Sequence, residues 1–129
     1  MLFPDSRGRR LRATKNFRRM IRETKLSCDD LILPLFAIEG KGVKKPIESM
    51  PGHFQLSCDH IVTKAREAHD AGIPGIILFG IPDKKDPLAT RAYASDSIVQ
   101  KTIAAVKEQV PDISVITDVC LCSYTDHGH

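Results

Sequence analysis

The residues best suited to chemistry lie together near the end of this 129-residue chain. They are Asp118, Cys120 and Cys122, within Ile113-Ser-Val-Ile-Thr-Asp-Val-Cys-Leu-Cys-Ser-Tyr-Thr-Asp-His-Gly-His129. The stretch opens as a β-branched apolar run, the signature of a buried strand. Side chains alternate along a strand, so one face takes Asp118, Cys120 and Cys122 and the other takes Val119 and Leu121. At a rise of about 3.3 Å per residue, same-face neighbours stand roughly 7 Å apart. That separation is too wide for an easy disulfide, but two thiolates can still reach one metal ion. A Cys-x-Cys pair alone is a weak signal; a carboxylate beside it at a strand end strengthens it. The plainer alternative makes Asp118 a loop acceptor. His127 or His129 is a conceivable further donor. Cys28 and Cys58 read as small, inert residues, and His53, His60 and His69 as surface residues.

Several elements must position this group. Thr14 can cap a helix over 15–24, with Phe17, Met20 and Ile21 as a narrow apolar stripe. Leu31-Ile-Leu-Pro-Leu-Phe-Ala-Ile38 is apolar on both faces and reads as a buried strand. Pro34 is awkward there and calls for a bulge or a less-paired flank. Residues 39–56 read as a long loop turned at Pro51-Gly52, in which Ser49-Met-Pro-Gly52 shapes the backbone. Ser57 caps a helix over 58–71 that buries Ile61, Val62, Ala65 and Ala68, and Gly72 stops it. A second strand covers 75–80, where Gly80 permits a turn or close approach. The polar loop 81–96 carries a helical turn near 89–93. Ser95 or Asp96 caps a third helix over 97–109, with Val99, Thr102, Ile103, Val106 and Val110 at helical spacing. Pro111 bars further helix, and a strand over 113–119 follows.

Strand, helix, strand, helix, strand at intervals of about forty residues implies right-handed βαβ units and a parallel sheet. The long loops follow strand C-termini, the side on which α/β barrels build their sites. Three such strands with two helices leave one face uncovered and both edges open. The chain is therefore expected to be the N-terminal part of a longer one, divided into an arm (1–28) and a body (29–129).

Composition narrows the function. Hydrophobic residues make up 42% and charged residues 27%, ordinary for a globular domain. No apolar run has the length of a membrane span or a signal peptide, so no membrane role is expected and the placement read is cytoplasmic. The four cysteines form no disulfide framework. The net charge of +3 hides an asymmetry: residues 1–25 hold nine basic and two acidic residues, and the remainder is net acidic. Without aromatic interleaving or a recognisable motif, the arm is read as packing on an acidic partner subunit rather than on nucleic acid. A small zinc or thiol module complete at 129 residues is the rival reading.

The chain also resembles a known family, porphobilinogen synthase (delta-aminolevulinic acid dehydratase). The matching segments are Arg9-Arg-Leu-Arg12, Glu23-Thr24, Leu26-Ser27, Asp30-Leu-Ile-Leu-Pro-Leu-Phe36, Ser49-Met-Pro-Gly52, Leu78-Phe-Gly80, Lys85-Asp86 and the block from Asp118 to His129. The resemblance implies the N-terminal part of a (β/α)8 TIM barrel with an extended subunit-wrapping arm, in homo-octamers. It implies condensation of two 5-aminolevulinate molecules to porphobilinogen, with loss of two waters, for haem and other tetrapyrroles. It makes Cys120 and Cys122 two of three cysteines on a catalytic Zn2+, the third following His129, and Asp118 an active-site aspartate near the substrate amine. Both cysteines place the sequence with the zinc-using members; an allosteric Mg2+ is left open. The two Schiff-base lysines of the family fall beyond residue 129, so the 129-residue chain alone is expected to be inactive.

Overall fold

The computed structural model describes residues 8–128. The first seven residues of the arm and His129 lie outside that range. Each described residue from Gly8 to Ile32 is exposed. A 3-10 turn spans Arg10–Arg12, and helix α1 spans Lys15–Met20. The Thr14 hydroxyl accepts the Phe17 N–H at 3.2 Å, as an N-cap should. The helix is shorter than the expected 15–24, and Phe17, Met20 and Ile21 remain exposed. A stripe with no core beneath it gains no packing to extend the helix. A second 3-10 turn, Cys28–Asp30, closes the arm with a capping box between Ser27 and Asp30.

The body is one five-stranded sheet: β1 (Ile32–Ile38), β2 (Lys44–Pro46), β3 (Phe54–Leu56), β4 (Gly75–Ile81) and β5 (Ser114–Thr117), in the order β2-β3-β1-β4-β5. The three long-anticipated strands run parallel, with Ile32 opposite Gly75 and Gly75 opposite Ser114. The loop expected over 39–56 instead contributes β2 and β3, paired antiparallel, with β3 lying parallel to β1. Three-residue strands such as Lys-Lys-Pro carry too little alternation to reveal a period. Pro34 is accommodated because β3 pairs β1 only at Phe36 and Ala37. The flank beside Pro34 needs no ladder hydrogen bond there.

Helix α2 (Cys58–Asp70) and helix α4 (Ile98–Gln109) cover one face of the sheet, and a single turn, α3 (Thr90–Tyr93), lies between β4 and α4. The core joins Leu35 and Ala37 of β1 and Ile76 and Leu78 of β4 to Ile61, Val62, Ala65 and Ala68 of α2 and Ile98 and Val106 of α4. Gly72 ends α2 at a φ of 82°, where its N–H donates to the His69 carbonyl. The cap of α4 is Ser97, not Ser95 or Asp96. Its hydroxyl donates to the Arg91 carbonyl and so ties α4 to α3.

The opposite sheet face carries Ile32, Pro34, Phe36, Phe79 and Ile116, with Phe36 and Phe79 stacked at 5.4 Å between ring centroids. Nothing among the described residues covers it: Ile32 is 51% exposed and Ile116 38%. No helix among the described residues is long and apolar enough to cross a membrane.

Candidate functional site

Strand β5 stops at Thr117, two residues before the expected end. The last sheet hydrogen bond runs from the Asp118 N–H to the Leu78 carbonyl at 3.3 Å. Strand alternation therefore does not set the positions of Cys120 and Cys122. A turn does so instead. The Asp118 carboxylate accepts the Cys120 N–H at 3.1 Å, bending the chain back. The Tyr124 and Thr125 N–H groups both donate to the Leu121 carbonyl, at 2.9 and 3.1 Å.

This turn brings the two thiols much closer than the roughly 7 Å of an extended strand. The Cys120 and Cys122 thiols share a hydrogen bond with 3.0 Å between the sulfurs. Neither is in a disulfide, and both are exposed, as is Asp118. The hydrogen bond that the protonated Cys122 thiol shares with Cys120 raises its pKa above the ordinary value, and lost solvation acts in the same direction.

A tetrahedral zinc with bonds of about 2.3 Å holds two sulfurs about 3.7 Å apart. The observed spacing lies within a small side-chain rotation of that value, and two soft thiols suit zinc. No group of three or more His, Cys, Asp and Glu side chains among the described residues is arranged for a metal. The fit thus extends to two protein donors, Cys120 and Cys122. His129 lies outside the described residues. His127 is exposed beyond the turn.

Beneath the turn lies a cleft of about 320 Å3 whose walls include Tyr93, Gln100, Thr117, Asp118, Cys120 and Tyr124. Gln100 donates to the Ala92 carbonyl at 3.1 Å, while its side-chain oxygen is buried without a partner. Tyr124 is 8% exposed. Burial raises its phenol above the ordinary pKa, and the Asp118 charge adds to that. The lysines Lys84 and Lys85 are exposed on the β4–α3 loop. Sequence reasoning missed Tyr124 and the partnership of Asp86 with its loop. The available signal was Gly80, a lone glycine inside a strand, which marks a close approach. What approaches is the Tyr124 side chain.

Known proteins share this arrangement of sequence and fold. A sequence model of the delta-aminolevulinic acid dehydratase family matches residues 5–129. A delta-aminolevulinic acid dehydratase of Synechococcus elongatus is 56% identical over 128 residues, 99% of this chain and 39% of the relative. One from Methanothermus sociabilis is 46% identical over 129 residues, covering 100% of this chain and 40% of the relative. Among solved structures, the Toxoplasma gondii delta-aminolevulinic acid dehydratase (porphobilinogen synthase), in complex with its reaction product porphobilinogen, superposes with a TM-score of 0.89. It is 33% identical and is matched over 96% of this chain and 36% of its own. The chain spans about two fifths of the length of these curated relatives. It belongs to the delta-aminolevulinic acid dehydratase family.

Proposed function

We propose that this chain forms the N-terminal part of a porphobilinogen synthase, which joins two 5-aminolevulinate molecules into porphobilinogen and releases two waters. The observation that carries this is the turn after β5, where a strand-end carboxylate and two thiols 3.0 Å apart meet in a member of this family. In this reading the sheet is the first part of a (β/α)8 barrel, and its uncovered face with Phe36 and Phe79 looks into the barrel. The site then lies at the C-terminal strand ends, where barrel enzymes do their chemistry.

Asp118 is the candidate catalytic residue. Its carboxylate stands exposed at the mouth of β5, able to hold a substrate ammonium or take a proton from it. Cys120 and Cys122 would hold a zinc ion with a third donor from elsewhere in the protein. Such an ion supplies a Lewis acid for a carbonyl oxygen and an acidified bound water. An allosteric magnesium, an octamer built through the arm and a cytoplasmic setting belong to the same reading. The basic arm, exposed along its whole described length, has the charge to dock on an acidic neighbouring subunit.

The test is condensation of 5-aminolevulinate by the purified protein produced from its complete reading frame, followed as porphobilinogen. Activity should disappear with a zinc chelator and return with Zn2+. Asp118→Ala should lower kcat/KM by about 100-fold or more, with its circular dichroism spectrum unchanged. Full turnover by the chelated protein would overturn the zinc assignment. Wild-type turnover by Asp118→Ala would remove Asp118 from the chemistry.

A further inference from the structure

Both cysteines of the turn are exposed, so burial in the core does not fix their spacing. The contacts that fix the turn lie on either side of them. On one side the Asp118 N–H bonds to the Leu78 carbonyl, the last rung of the sheet. On the other side Tyr124, 8% exposed, is seated against β4. A Cβ built on Gly80 would come within 2.6 Å of the Val99 side chain and 3.1 Å of Tyr124 Cζ, and closer still to the Tyr124 hydroxyl. Gly80 has no positive φ. The glycine is therefore there for space: without it the phenol has no seat.

The Tyr124 backbone is pinned as well. Its carbonyl accepts the Asp86 N–H at 3.3 Å, which joins the turn to the β4–α3 loop. Asp86 is itself firmly placed. Its carboxylate accepts the Leu88 N–H at 2.9 Å and the Thr90 hydroxyl at 3.0 Å. The Thr90 N–H adds a further bond at 3.1 Å.

We infer that Tyr124, seated over Gly80 and tied to Asp86, is a positioning residue that sets the spacing of the Cys120 and Cys122 sulfurs for joint metal binding. This rests on the zinc reading given above and adds to it the group that holds the pair in register. The sulfurs stand at 3.0 Å only while the seven-residue stretch from Asp118 to Tyr124 is tethered at both ends. Releasing one tether lets the two thiols separate and bind as independent, weaker ligands.

The experiment uses the purified protein produced from its complete reading frame, with zinc affinity measured by chelator competition. Cobalt(II) replaces zinc for a second readout, the thiolate-to-cobalt charge-transfer absorbance per bound ion, which reports how many sulfurs are attached. Tyr124→Ala and Gly80→Ala should each weaken zinc binding about 10- to 100-fold and lower that absorbance, because a sulfur is lost from the ion. Tyr124→Phe keeps the ring and should match the wild type in both. Wild-type affinity and absorbance in Tyr124→Ala would overturn the inference. Should Gly80→Ala lose its circular dichroism spectrum, Tyr124→Ala against Tyr124→Phe decides the matter. The double variant Cys120→Ser with Cys122→Ser separates the two levels. If it abolishes zinc binding while Tyr124→Ala binds normally, the brace fails and the zinc reading stands. If it binds zinc as the wild type does, the zinc reading itself fails and takes the brace with it.

Discussion

At the scale of single residues, short side chains do much of the joining. Ser57 caps α2 by position, but its hydroxyl is engaged elsewhere, with the Val43 backbone and the Asp59 carboxylate. Asp59 also takes the Gly42 N–H at 3.1 Å, which fastens the loop after β1 to the start of α2. The Ser57 hydroxyl, then the Gly42 amide, hold the Asp59 carboxyl below its ordinary value of 3.8. A depressed folded-state pKa means that this contribution to stability is complete above the unfolded value. It is lost as pH falls through the folded value. Asp59→Asn should therefore melt below the wild type at pH 7, and the gap should narrow as the melts are taken to progressively more acid pH. A gap that stays the same across the acid series would show that charge plays no part in the tether.

Elements show where sequence reasoning succeeds and where it stops. Strands β1 and β4 and helices α2 and α4 were legible because each buries a regular apolar pattern against the others. Ile61, Val62, Ala65 and Ala68 lie buried as their spacing requires. The short strands β2 and β3 were not legible, because their pairing comes from the neighbours and not from their own composition. Two element ends also escaped. Strand β5 yields at Asp118 to a side-chain-to-backbone turn, so the approach of Cys120 to Cys122 depends on local hydrogen bonds that no strand period encodes. The cap of α4 went to Ser97, whose hydroxyl also donates to the Arg91 carbonyl. Ser97 is 1% exposed. Ser97→Ala should cost about 1 kcal/mol in chemical denaturation, as expected for a lost buried hydrogen bond. A loss below a few tenths would mean that the α3–α4 link carries little weight.

At the scale of the whole molecule, the two sheet faces are unequal. One is sealed by α2 and α4; the other shows Ile32, Phe36, Phe79 and Ile116. A contiguous apolar patch of this kind needs a cover. On the proposed barrel reading, residues 1–129 expressed alone should bind the dye ANS strongly and form no porphobilinogen from 5-aminolevulinate. The complete protein should bind much less dye per mole of chain. Equal dye binding by both would count against the proposed barrel, in which this face is covered.

The two rims of the sheet differ as well. Strand β2 ends the sheet with Lys44, Lys45 and Pro46, all exposed, two like charges and a residue that lacks an amide donor. Along β5, Ser114 to Thr117 carry no such guard, and no strand among the described residues pairs with their outer flank. A stray copy joining rim to rim thus finds one welcoming side and one hostile one. Two copies of residues 1–129 expressed alone can meet β5 to β5, after which their lysine-bearing rims face outward. Misassembly of that piece by this route should end in pairs and not in fibrils.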